Sequence, residues 1–298
     1  AFSEAILHFG HAIKLITPQL DSGDSAILNR ALSLQVQIGF ALMTRYGWGN
    51  NQTKEALVHA LALADRVGET PLRFTILYGL MTTRYLRAEI AEALQHGQAL
   101  VDLTKNSTDT APASLANRSF GISLMYSGQF DRAQRHFDRA LDLFDPVLHA
   151  DMARLFGIDM GVSSHGLISA NLAFCGETRR AEKLFLEGER YAEVCADVPS
   201  NCYMHMIGAF LHSTTRNFTE AQRHTTGLAN LASQYNLSFY EDLATMFQSQ
   251  LKAESGDQAG LADLKKIDAK MVAANMLGLL SAFRTTAGHC ALALGLRD

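Results

Sequence analysis

The stretch GVSSHG sets Ser163, Ser164 and His165 side by side, the residue types of a hydroxyl nucleophile and its base. Adjacent residues of a helix point to different faces, so one such segment cannot bring the serine hydroxyl and the imidazole together. Just upstream, LFDPVLHADMARLFGIDMGVSSHG, Leu143 to Gly166, scatters His149 and Asp159 among glycines. An imidazole and a carboxylate there could do acid–base work. Without a third partner in the segment, they are expected to satisfy exposed backbone groups at helix ends. His205 and His212 are seven residues apart and share a helical face. Metal-binding histidines on a helix stand three or four apart, so packing between helices is expected here in place of a metal site. The four cysteines, Cys175, Cys195, Cys202 and Cys290, form no C-x-x-C pair and read as reduced thiols. None of GxxxxGK[ST], HExxH, GxSxG or GxGxxG occurs. No catalytic, metal or cofactor constellation is expected, and the chain reads as a non-enzyme.

Composition sets the frame for these residues. Of 298 residues 48% are hydrophobic and 19% charged, enough for a packed core and too apolar for a disordered chain. A net charge of −4 without long runs gives no field to attract nucleic acid or anionic lipid. No uninterrupted apolar run approaches the roughly 18 to 20 residues that span a bilayer. A cytoplasmic protein with neither a nucleic-acid nor a membrane partner is the expectation.

The elements are helical. Pro18, Pro71, Pro112, Pro146 and Pro199 all stand in or beside turn-like segments, as expected of a residue tolerated only in the first helical turn. Between them apolar residues recur at helical spacing, as in Ala133, Phe137, Ala140, Leu141 and Phe144, and no long stretch alternates like a strand. About fourteen helices follow. GQFDRAQRHFDRALDLFDP has the pattern of the second half of a tetratricopeptide repeat, and GETRRAEKLFLEGERYAEV and RNFTEAQRHTTGLANLA are further copies. Gly121 is the small residue where the paired helix must come close. Aligning the small residue early in each second helix gives Ala56, Ala93, Ala133, Ala181, Ala221 and Leu261, spaced by 37, 40, 48, 40 and 40 residues. The chain is therefore expected to be an all-α, right-handed superhelical solenoid of hairpins of about 40 residues. It reads as a single helical-repeat domain over 1–298, a piece of a longer chain, with an irregular insertion near 145–161. Within the insertion, VLHADMARLF is expected to form a short extra helix, and Gly161 and Gly166 to let the next helix begin tightly against its neighbour, with a positive φ at Gly161 as the test of an elbow there. In YGWGNNQT, Trp48 is expected to plug the hairpin apolar face and the asparagines to cap the helix beginning near Gln52.

The first helix of each hairpin lines the concave surface of such an array. Counting from the aligned alanines places Tyr78, Tyr85, Arg118, Met125, Tyr126, Phe174, Tyr203, Met206, Phe210, Met246 and Gln250 near it. Aromatic and methionine side chains with one arginine suit a groove for a protein segment or a small signal molecule.

The segments ALSLQVQIGFALMTRYGWGNNQTKEALVHALALADRVGETPLRFTILYGLMTTRYLRAEIAEALQHGQALVDLT and LFDPVLHADMARLFGIDMGVSSHGLISANLAFCGETRRA carry a family resemblance. The chain resembles the C-terminal helical-repeat region of large bacterial signalling proteins. In those, a nucleotide cyclase or winged-helix DNA-binding effector precedes a STAND-type ATPase and then the repeat array. The most specific residues are Asp145, Pro146, His149, Gly157, Asp159, Gly161 and Val162, where the family reads D-P-x-x-H and then Y-G-x-D-P-G-V. Phe156 and Met160 replace the family's tyrosine and proline. The resemblance implies a sensor or partner-binding arm attached to ATPase and effector domains in the parent chain. The residues leave two readings open: a regulatory binding module, and a scaffold or oligomerisation surface without a small ligand.

Overall fold

The computed structural model describes residues 2–149, 158–195, 197–293 and 295–296. Among them are fourteen α-helices and no strand. Helix α1 (Phe2–Ile16) precedes six hairpins: α2 (Ser25–Tyr46) with α3 (Asn51–Val67), α4 (Leu72–Leu86) with α5 (Ile90–Thr104), and α6 (Thr110–Tyr126) with α7 (Phe130–Asp142). Then come α8 (Met160–Phe174) with α9 (Thr178–Cys195), α10 (Val198–Thr214) with α11 (Phe218–Gln234), and α12 (Ser238–Glu254) with α13 (Gln258–Ala273). Helix α14 (Leu280–Ala293) follows. The chain divides into two compact units, Ala1–Lys105 with Met271–Leu279, and Asn106–Lys270 with Leu280–Asp298. Most of the expected extra helix, residues 150–157, lies outside the described residues.

Local chemistry explains the boundaries. Asp24, Asn50, Asp109, Asp159, Asp197 and Asn217 each precede a helix and accept a hydrogen bond from a backbone N–H of its first turn. Five of the six turns joining first to second helices repeat one geometry. Two residues past the helix, Ala88, Gly128, Gly176, Arg216 and Gly256 have positive φ. The next N–H in each case, from Glu89, Gln129, Glu177, Asn217 and Asp257, donates 2.8–3.0 Å back to the carbonyl five residues earlier. This six-to-one closure satisfies helix-end carbonyls and reverses the chain with three residues between the helices. It is spaced like the buried Ala93, Ala133, Ala181 and Ala221, so turn and packing position share one repeat.

In the first unit, Leu28, Ala31, Leu32 and Val36 of α2 pack with Leu57, Ala60, Leu63, Ile76 and Leu80. Helix α2 is, among the described residues, the one long and apolar enough to cross a membrane, but half of the stretch is buried in this core. Gly39 and Gly79 both lie against Leu57, whose side chain would be 2.9 and 3.0 Å from a Cβ added there. Beside this core Glu89 accepts hydrogen bonds from Lys54 at 3.2 Å and Arg87 at 2.8 Å, and pairs with Arg84. Burial alone would raise the Glu89 carboxyl, but the hydrogen bonds from Arg87, Arg84 and Lys54 outweigh it and bring it from 4.5 down to about 2. Arg87 also donates to the Gly49 carbonyl at 2.6 Å, tying the α2–α3 turn to the α4–α5 turn.

Two outcomes follow. Arg216 pays for a left-handed conformation that glycine takes freely, so Arg216→Gly should stabilise the chain by up to about 1 kcal/mol in urea unfolding, net of glycine's greater unfolded-state entropy. Glu89→Gln should cost about 1–3 kcal/mol at neutral pH, since it removes the anion from three cations. Because the folded carboxyl is depressed, its stabilisation is complete above about pH 4.5 and lost as pH falls toward 2. The variant's stability should be flatter than wild type across that window in pH-dependent unfolding.

Candidate functional site

In the second unit the hairpins leave one face of the first helices free of their partners. On α6, Ser114 donates to the Ala140 carbonyl, Asn117 bonds His136, and a Cβ on Gly121 would meet the Phe137 ring at 2.5 Å. That side therefore belongs to α7. Tyr126 stands nine residues beyond Asn117, two and a half turns, which puts it on the opposite side. The same offset recurs three times. Phe174 is nine residues beyond His165, which stacks on Tyr191 of α9. Tyr203 is nine before His212, which stacks on His224 of α11. Tyr240 is nine before Ser249, whose carbonyl lies 2.5 Å from where a Cβ on Gly260 would be. Met206 and Phe210 follow Tyr203 at three and seven residues and share its face.

These side chains meet. Phe174 is 42% exposed, stacks on Phe130 with ring centroids 5.3 Å apart, and touches Phe210 at 5.5 Å. The result is an aromatic row crossing from α7 through α8 to α10. The Tyr126 phenol is pushed up by burial and further by the nearby Tyr203. Burial also raises the Tyr240 phenol, with Tyr203 again adding to it. Tyr203 thus stands within electrostatic reach of both. The face offers aromatic rings and phenol hydroxyls.

Of the residues expected on the groove, Tyr126, Phe174, Tyr203, Met206 and Phe210 share this face. Others do not. Met246 is buried and lines a cavity of about 390 Å³ with Leu264 and Asp268 of α13 and Leu280 and Arg284 of α14. Gln250, also buried, is the neighbour of Ser249 on the α13 side. Counting from Leu261 misjudged the phase of α12, because Gly260 lets α13 approach the 249–253 side and leaves Tyr240, itself buried, on the opposite side of the helix. Tyr240 and Phe130 are the members that sequence reasoning missed; a nine-residue offset from each helix-contacting position would have found the first. Arg118 is buried one position round from Asn117, and its Nε has no hydrogen-bond partner. Met125 is half-buried beside it. Tyr78 and Tyr85 belong to the first unit, where Tyr78 is buried edge-on to Trp48 at 6.2 Å and Tyr85 is half-buried. Trp48 in turn meets Phe40 at 6.4 Å, the plugging role its sequence suggested.

The irregular stretch has a structural explanation. His149 Nδ1 accepts from the Asp145 N–H at 3.2 Å, and its Nε2 meets Thr110 at 3.0 Å. Asp159 caps α8 through the Val162 N–H at 2.9 Å, and its own N–H donates to the Ser200 hydroxyl at 2.8 Å. Ser163 and Ser164 are buried, and His165 Nδ1 bonds the Gly161 carbonyl at 2.8 Å, so no nucleophile–base pair forms there. Gly161 gives the tight helix start expected of it, but not through a positive φ. It lies in the first turn of α8, where its bare Cα admits neighbours: a Cβ would fall 2.6 Å from Phe144 and 2.7 Å from Tyr191.

No protein-family model and no curated protein matches the chain. Among solved structures it is similar to a Rap protein crystallised in complex with competence and sporulation factor, at 10% identity over 99% of this chain and 86% of that one, with a TM-score of 0.65. It is also similar to the apo form of RapI, at 11% identity over the same shares, with a TM-score of 0.52. The fold is a tetratricopeptide-like helical repeat.

Gly161→Val should destabilise the protein by about 1–3 kcal/mol through overpacking against Phe144 and Tyr191. Denaturant unfolding measures it, and a neutral result would remove the close-approach argument for this glycine.

Proposed function

We propose that this chain is a non-catalytic regulatory binding module that takes up an extended protein segment along Tyr126, Phe174, Tyr203, Met206 and Phe210. The observation that carries this reading is the aromatic row, with Phe174 nearly half exposed between Phe130 and Phe210. Large rigid rings presented in a row give apolar contact area at low entropic cost, while the phenols bond a passing backbone. The likeness to a Rap protein that holds competence and sporulation factor supports a binding role for the fold. The sequence resemblance supports a place beside a STAND-type ATPase and an effector in a bacterial signalling protein. Occupancy there would act on the attached domains through differential affinity for two arrangements of the repeats.

A second reading, an oligomerisation surface, rests on Val147 and Leu148, which expose 82% and 75% of their area in the turn after α7. Peptides selected on the full chain from a random display library distinguish the two. On the first reading, Tyr126→Ala with Phe210→Ala weakens such a peptide by at least about thirtyfold, ~2 kcal/mol, in calorimetry, with far-UV helicity unchanged. Affinity equal to wild type would overturn it. A concentration-dependent dimer in light scattering that dissolves in Val147→Asp with Leu148→Asp would favour the second.

A further inference from the structure

We propose that His212, Glu220 and His224 form a binding site for a divalent transition-metal ion of the zinc class, between α10 and α11. The site lies on the side of α10 opposite Tyr203, Met206 and Phe210, and stands apart from the proposed segment-binding face. One donor atom from each of the three lies within 4.8 Å of the other two. Both histidines are buried, and Glu220 is half-buried at the rim. In a tetrahedral shell with bonds of about 2.0–2.2 Å the donors stand roughly 3.3–3.6 Å apart, so closure requires a movement of at most about 1.5 Å. The mobile partner is the Glu220 carboxylate.

The imidazoles are held by a reciprocal arrangement. His224 of α11 sits on Gly208 of α10, and His205 of α10 sits on Gly227 of α11; a Cβ on either glycine would fall 2.5 Å from the opposing ring. Each helix thus leaves a gap for the other's histidine. The His212 and His224 rings stack at 5.4 Å with planes 13° apart. His212 Nδ1 is buried with no hydrogen-bond partner, and Glu182 Oε2, at 3.8 Å, is beyond hydrogen-bond reach. A buried lone pair or N–H left unmade is costly, and a coordinated ion would relieve it.

Arg223 already places a cation at this spot. Its guanidinium donates to His224 Nε2 at 2.8 Å, to Glu220 at 2.7 Å and to Glu189 at 3.0 Å. Because Nε2 of His224 accepts, Nδ1 carries the proton and donates to His205 Nδ1 at 3.1 Å. An outer imidazole orienting the ligating one through its second nitrogen is the support that metal-bound histidines use. Three carboxylates, Glu182, Glu189 and Glu220, against the one guanidinium leave a charge of −2, which a dication neutralises. Two imidazole donors favour zinc, nickel or cobalt over calcium or magnesium. Arg223 is half exposed and can swing into solvent as the ion enters.

Zinc titration of the full chain against a chromogenic chelator tests the site, with far-UV dichroism as the folding check. One zinc per chain is expected, and Co²⁺ should give the visible absorption of a four-coordinate nitrogen and oxygen shell. His212→Gln and Glu220→Gln should each weaken zinc at least tenfold, while Arg223→Gln, which frees His224 Nε2, should bind more tightly than wild type. Glu220 and Arg223 lie at the surface, so the test stands even if His212→Gln misfolds. Substoichiometric uptake, zinc affinity unchanged by Glu220→Gln, or Arg223→Gln binding no tighter than wild type overturns the proposal.

Discussion

The contact on which this architecture depends is a large side chain of one helix seated on a bare Cα of its neighbour. Leu57 on Gly39 and Gly79, Phe137 on Gly121, and His224 on Gly208 are the same event in different chemistry. A Cβ at any of these glycines would fall at or below 3.0 Å from the seated group, closer than close-packed atoms tolerate. The seat fixes the rotation of each first helix about its axis. Once that rotation is fixed, the residues two and a half turns away lie on the side turned from the partner helix, and the aromatic row is the consequence.

Helix α10 shows the economy of this arrangement. One side carries Tyr203, Met206 and Phe210, the other His205, Gly208 and His212, and Phe185 of α9 meets both His212 and His224 edge-on at 5.6 and 5.1 Å. A histidine in place of an aliphatic knob fills the gap with nearly planar bulk, but it brings two polar nitrogens that a core must satisfy. The structure satisfies those of His224 with Arg223 and His205 and leaves Nδ1 of His212 over. That imbalance sets this hairpin apart from the α6–α7 hairpin, where Phe137 does the same packing without polar atoms.

Much of the molecule was legible in advance. Helical class, boundaries at prolines and the repeat interval all follow from local rules: periodicity and first-turn tolerance. The caps by Asn50 and Asp159 and the plug by Trp48 were likewise local. Gly161 shows where such reasoning slips, since a glycine at a helix start can be needed for a positive φ or for its missing side chain, and only the positions of Phe144 and Tyr191 choose between them. Met246 and Gln250 show another limit. A helix with apolar residues on several sides has no single phase, and α12 was turned by the approach of Gly260 on the next helix.

The sequence by itself determined that the chain is a helical repeat, where its helices stop, and which alanines pack between them, because those features rest on interactions within a few residues. The tertiary structure decided which of the many aromatic residues share a face and which histidines meet. His212 and His224 are twelve residues apart on different helices, at no spacing that a single helix could bring together. Their meeting depends on two glycines in two helices accepting each other's rings, a condition that exists only once the hairpin has closed.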